Sequence, residues 1–122
     1  MQASEFVELV DKLAGQSAID DVLSLLSKPP GRKPPEHLLR LSKWFNELDE
    51  ADKSAVSEII AETADATLFG VYCLLDGSRK LVEDSAAESV DLVYRGEDGE
   101  VLLASTDSGS EDLLHELRNS LI

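Results

Sequence analysis

The apolar residues of this 122-residue chain change their period at Thr67, and no other feature constrains the fold as much. Before that point they recur at helical spacing. Phe6, Val10, Leu13 and Ala14 share one face of a segment that Ser4 can cap. Glu5 and Glu8 sit in its first turn, where carboxylates favour the helix dipole, and Gly15 is its expected end. Ser17 and Asp20 form a variant of the capping box ahead of Ile19, Val22, Leu23 and Leu26, which repeat at i, i+3, i+4 and i+7. Leu38, Leu41, Phe45 and Leu48 mark a third helix, with Trp44 beside the stripe. Asp49 caps a fourth, in which Val56, Ile59, Ile60 and Thr63 face one way.

From Leu68 the apolar residues are continuous. The run 68–75 has strand length and is rich in residues that suit a pleated surface, so it predicts a buried strand, with Gly70 permitting a bulge. Asp76-Gly77 directly after it signals a two-residue hairpin returning over 78–82. Val90, Leu92 and Tyr94 alternate with Asp91, Val93 and Arg95, and Gly96-Glu97-Asp98-Gly99 turns the chain into 101–104. After a loop at 106–110, Ser110 is placed to cap a last helix striped by Leu113, Leu114, Leu117 and Leu121. The expectation is a single α+β domain over 1–122: about four N-terminal helices over 1–66, a small antiparallel β-meander of about four strands over 67–105, and a C-terminal helix over 110–122.

Length and composition agree with a folded domain. A chain of this size can bury about two thirds of its unfolded surface. With 43% hydrophobic and 30% charged residues the chain lies close to the globular average. The single cysteine, Cys73, cannot form an intramolecular disulfide, so a reducing cytoplasm is the expected compartment. The N-terminus lacks the basic start and apolar stretch of a signal peptide, and no apolar segment approaches the roughly 18 to 20 residues that span a bilayer.

Charge is distributed unevenly. Residues 1–46 hold six acids (Glu5, Glu8, Asp11, Asp20, Asp21, Glu36) and six bases (Lys12, Lys28, Arg32, Lys33, Arg40, Lys43), so the net charge of −14 falls entirely on 47–122. All four prolines and a cluster of three bases lie in 28–35, which predicts an extended basic loop. An acidic field repels nucleic acid and anionic lipid and steers basic proteins, so neither nucleic acid nor membrane is an expected partner.

Catalytic signatures are lacking. His37 and His115 show no metal-ligand spacing, there is no Gly-x-Ser-x-Gly elbow or phosphate-cradling glycine loop, and the acids at 97–100 lack the oxygen spacing of a calcium loop. Cys73, Phe45 and Tyr72 read as core. No catalytic, cofactor or metal residue is assigned, and the chain is expected not to be an enzyme. The candidate partner-binding residues are the aromatic Trp44 and the acids Asp49, Glu50, Asp52, Glu58 and Glu62 of one helix, together with Glu97 and Asp98 of a hairpin tip. A soluble acidic surface, or adaptation to high salt, would explain the same charge without a partner.

The ordering of Trp44-Phe45-Asn46-Glu47-Leu48, the apolar helix at 56–60, Leu68-Phe69-Gly70, Leu74-Leu75-Asp76-Gly77 and the closing 112–117 resembles a family of small, uncharacterised bacterial proteins over about residues 6–117. The size, acidity and helix-plus-meander plan are similar to immunity proteins that neutralise basic bacterial toxins. That resemblance implies a cytoplasmic inhibitor occluding a basic, nuclease-like protein, and carries no individual functional residue with it. Two other functions fit the charge: a phage or plasmid DNA mimic acting on a DNA-binding host protein, and a small enzyme using clustered carboxylates or a divalent metal. The basic loop and acidic face together would also allow a homodimer.

Overall fold

The structure, a computed structural model, describes residues 1–80, 88–107 and 113–121. Its elements are α1 (Ala3–Val10), a π-helical turn (Asp11–Gln16), α2 (Ser17–Ser27), α3 (Glu36–Asn46), α4 (Glu50–Leu75), the strands β1 (Asp91–Gly96) and β2 (Gly99–Ser105), and α5 (Leu114–Asn119). The class is α+β, with four α-helices ahead of one antiparallel hairpin and a helix after it among the described residues. The chain divides into two compact units: a terminal unit, Met1–Lys12 with Ala66–Ile122, and a central unit, Leu13–Asp65.

The largest departure from expectation is the run 68–75, which forms the last turns of the 26-residue α4 and no strand. Leu68, Tyr72 and Leu75, at i, i+4 and i+7, are the residues that enter the core, so the helical period is carried by burial and is invisible in a run that is apolar throughout. Extending an established helix costs far less than starting a new element, and Ala61, Ala64 and Ala66 lead into the run with high helix propensity. The four-stranded meander is thereby reduced to two described strands, paired as β1-β2. Of the proposed return strand, residues 78–80 are not in a strand and 81–82 lie outside the described residues, as do Glu83, Asp84 and Ser110.

Asp76-Gly77 does turn the chain, but as the cap of α4. The Asp76 amide closes the last turn on the Tyr72 carbonyl at 2.9 Å, Gly77 takes a φ of +81°, and the Arg79 amide returns to the Cys73 carbonyl at 3.0 Å. A Cβ on Gly77 would lie 2.7 Å from the Thr106 carbonyl oxygen, so glycine is required here both for its conformation and for its size. Gly15, by contrast, does not end α1. It has no positive φ that would stop a helix, and the backbone passes through the π turn directly into α2. α1 also begins two residues earlier than expected, at Ala3 with Gln2 as the preceding residue, so Ser4 lies inside it and does not cap it.

Other expectations hold. α2 starts at Ser17 and residues 28–35 are irregular before α3, but the expected capping box is not made: the residue ahead of α2, Gln16, is itself helical and its side chain makes no capping hydrogen bond. The Asp49 carboxylate accepts the Asp52 amide at 2.8 Å and so caps α4. The hairpin turns between Gly96 and Gly99, which face each other in register, and a bulge after Leu92 leaves Leu103 and Ala104 both buried.

In the terminal unit, Val7, Tyr72, Ala104 and Leu114 form a closed core with Ala3, Phe6, Val10, Leu68, Leu75, Leu92 and Leu117 packed around it. Val7, Tyr72 and Leu114 are almost completely buried, and each contributes about 1.5 to 3 kcal/mol relative to exposure. The central unit comprises α2, which packs on α3, together with the first four turns of α4. Asn46 donates to the Ser27 carbonyl at 3.1 Å, joining the C-terminal ends of α2 and α3. Phe45 is its one large buried hydrophobic among the described residues.

Candidate binding surface

The central unit carries six of the eight candidate residues: Trp44 on α3, and Asp49, Glu50, Asp52, Glu58 and Glu62 at or along α4. All six are exposed, Trp44 by 51%. They differ in what they can offer a partner. Asp49 is committed to its own helix as the cap, and Glu50 lies 3.9 Å from Lys53 Nζ, which also sits 5.7 Å from the centre of the Phe45 ring. Among the described residues no base pairs with Asp52, Glu58 or Glu62. Their full charge faces solvent, with one basic residue, Lys53, between Asp49 and Asp65 in the sequence.

Glu97 and Asp98 belong to the terminal unit, where they form the exposed two-residue loop of the hairpin. With Met1 and Tyr94 they line a hollow of about 170 Å³. The neighbouring Arg95 Nε donates to Glu100 at 2.9 Å across the hairpin.

An apolar groove within the central unit was not anticipated. It has a volume of about 270 Å³ and is lined by Ala18, Ile19 and Val22 of α2 and by Ile59, Ile60, Thr63 and Ala64 of α4. The Thr63 hydroxyl is turned back onto the Ile59 carbonyl at 2.9 Å, so the one polar side chain of the lining is satisfied within its own helix. Ile59, expected on one face with Val56, Ile60 and Thr63, is 65% exposed, and Val22 is 39% exposed. The available signal was positional: Ile59 shares a helix face with Asp52, seven residues earlier, and Glu62, three residues later, which places an apolar side chain inside an acidic stripe.

A second constellation, in the terminal unit, joins residues far apart in sequence. The Asp76 carboxylate, 2% exposed, accepts the Ser78 amide at 3.0 Å, the His115 amide at 3.1 Å and His115 Nδ1 at 2.6 Å. Burial works to raise its pKa, but the hydrogen bonds from Ser78 and His115 outweigh it and hold the carboxyl below the ordinary 3.8. Ser78 Oγ lies 3.1 Å from the same Nδ1. Activating a serine requires the hydroxyl on one imidazole nitrogen and the carboxylate on the other. With both on Nδ1, the imidazole clamps α5 to the cap of α4 and does not draw a proton from Ser78. The Phe69 ring meets His115 edge-on, with centroids 5.6 Å apart.

Three further groups are structural. Arg118, 4% exposed, donates from Nε to Asp11 at 2.7 Å, so a buried cation meets a carboxylate presented by the π turn. Tyr72 donates to the Val7 carbonyl at 3.4 Å, and burial, reinforced by Asp11, pushes its pKa up to about 12. Burial also raises the Cys73 thiol, which disfavours a reactive thiolate and fits its place in the core.

Among the described residues no group of three or more His, Cys, Asp or Glu side chains is placed to hold a metal ion, and no helix is long and apolar enough to cross a membrane. No protein-family model matches the chain, and no curated protein or solved structure shows significant similarity to it.

Proposed function

We propose that this chain is a non-enzymatic binding protein that receives a basic protein on the exposed acidic face of α4. The observation that carries this reading is the trio Asp52, Glu58 and Glu62: exposed carboxylates, without a base partner among the described residues, in the stretch of sequence where the acid surplus begins. An array of this kind raises the encounter rate with a basic protein by about 10- to 1,000-fold at low salt. Trp44, exposed at the end of α3, is the aromatic suited to supply the slow-dissociating part of the contact. In its most concrete form the chain is an immunity-type inhibitor whose carboxylates occupy the groove in which a nuclease-like partner would hold phosphates.

The test is a pull-down from native lysate at about 50 mM salt, where screening is weak, using the intact chain and a triple charge reversal at Asp52, Glu58 and Glu62. Asp49 is left unchanged because reversing it would remove the cap of α4. The reading expects a basic protein that elutes with rising salt and is not held by the reversed variant. Equal retention of the same proteins by both forms would contradict it.

A further inference from the structure

We propose that the groove between α2 and α4 is the docking site for an amphipathic helix of the partner, one that carries an apolar stripe flanked by Lys or Arg. This deepens the reading given under the proposed function and rests on it.

The groove's lining is apolar, with its one hydroxyl internally satisfied, so it offers nothing to orient a polar ligand. Its volume of about 270 Å³ falls below the roughly 300 to 1,000 Å³ of sites that enclose small molecules. With Ile59 65% exposed the groove is open, which suits side chains inserted from a docking segment. Helices binding in grooves insert residues at i, i+3 or i+4, and i+7, and the lining supplies the matching surface over one turn of α2 and more than one turn of α4.

Charge selects the occupant. On α4, Asp52 and Glu62 lie on the same face as Ile59 at spacings of seven and three residues. On α2, Asp21 lies three residues after Ala18, and all three acids are exposed. Carboxylates therefore flank the groove from both helices, so a helix with Lys or Arg beside its apolar stripe meets them while an acidic one is repelled. The same argument disfavours a second copy of this chain, since each copy brings a net charge of −14.

The probe is a fluorescent peptide of about 18 residues, long enough to hold helical structure, with a leucine stripe and Lys/Arg flanks. A second peptide of identical composition has its order scrambled so that no stripe forms. Anisotropy titrations use the full chain and Ile59→Ser at about 50 mM salt, alongside amide and methyl NMR spectra. The proposal expects the striped peptide to bind at least tenfold tighter than the scrambled one. Its shifts should centre on Ala18, Val22, Ile59 and Thr63, and Ile59→Ser should weaken it at least fivefold while leaving the circular dichroism unchanged. Equal binding of both peptides, insensitive to Ile59→Ser but lost on charge reversal, would overturn the groove and leave the basic-protein reading standing. Binding of neither peptide would overturn both. Concentration-dependent shifts of the same groove signals without peptide would assign the groove to self-assembly and overturn the basic-helix occupant.

Discussion

The two units of this chain differ in how much apolar surface they bury. The terminal unit closes Val7, Tyr72 and Leu114 almost entirely from solvent and satisfies each of its described buried charged side chains with a half-buried partner, Arg118 with Asp11 and Asp76 with His115. The central unit buries one large hydrophobic, Phe45, and leaves Leu13, Val22, Leu39, Leu41, Trp44 and Ile59 at least 39% exposed. The terminal unit also exposes Leu9, Val71, Val93, Tyr94, Leu102 and Leu121, so the contrast lies in the core and not at the surface. A region with few buried apolar contacts lies at the low-stability end of a protein, which is where binding surfaces are drawn from. The contrast assigns cohesion to the terminal unit, and the proposed function adds recognition to the central one.

Substitutions can break this contrast, beginning with the largest effect. Leu114→Ala removes a fully buried side chain from the closed core and should cost about 4 kcal/mol in urea unfolding. A loss below about 1 kcal/mol would mean that the core is looser than its burial implies. Gly77→Ala combines a left-handed conformation with a contact 2.7 Å from the Thr106 carbonyl oxygen, for an expected loss of about 3 kcal/mol. If it proved neutral, the cap of α4 would not be fixed as described.

The Asp76 clamp makes a pH-dependent prediction. The folded carboxyl lies below its ordinary value of 3.8, so its stabilisation is complete above about pH 4 and is lost as pH falls through the folded pKa. Asp76→Asn should cost about 2 kcal/mol at neutral pH, through charge-assisted hydrogen bonds to Ser78 and His115, and the gap from the parent should close as pH drops below 4. Midpoints of urea unfolding measured from pH 2.5 to 7 test this, and a gap constant across that range would exclude the clamp. The smallest effect is expected in the central unit. Ile59→Ser exchanges two residues of similar helix propensity at a site 65% exposed and should change stability by less than about 0.5 kcal/mol.

How far the sequence discloses this molecule depends on whether the hydrophobic pattern or the packing decides an element. Helices α2 and α3, the Asp49 cap and the hairpin between Gly96 and Gly99 follow from local chemistry: caps, prolines, spacing and turn glycines. The run 68–75 does not, because an all-apolar segment has no period to read, and only the placement of Leu68, Tyr72 and Leu75 against Val7 and Leu114 shows its helical phase. Asp76-Gly77 was legible as a change of chain direction requiring positive φ, but not as a helix end, since the two differ only in what precedes them. The pairing of Asp76 with His115 spans 39 residues and leaves no local trace. At the surface, the exposure of Trp44 and the acids of α4 agrees with the sequence, whereas the groove beside Ile59 depends on how α2 meets α4.

Hydrogen exchange on the intact chain, with and without the striped basic peptide, tests the division of roles most directly. The account predicts that amides of residues 68–75 and 103–104 exchange slowest in the free protein, and that the protection gained on binding falls on 17–27 and 50–64. Slower exchange in 17–27 and 36–46 than in 68–75, or protection gained chiefly at the hairpin, would contradict it.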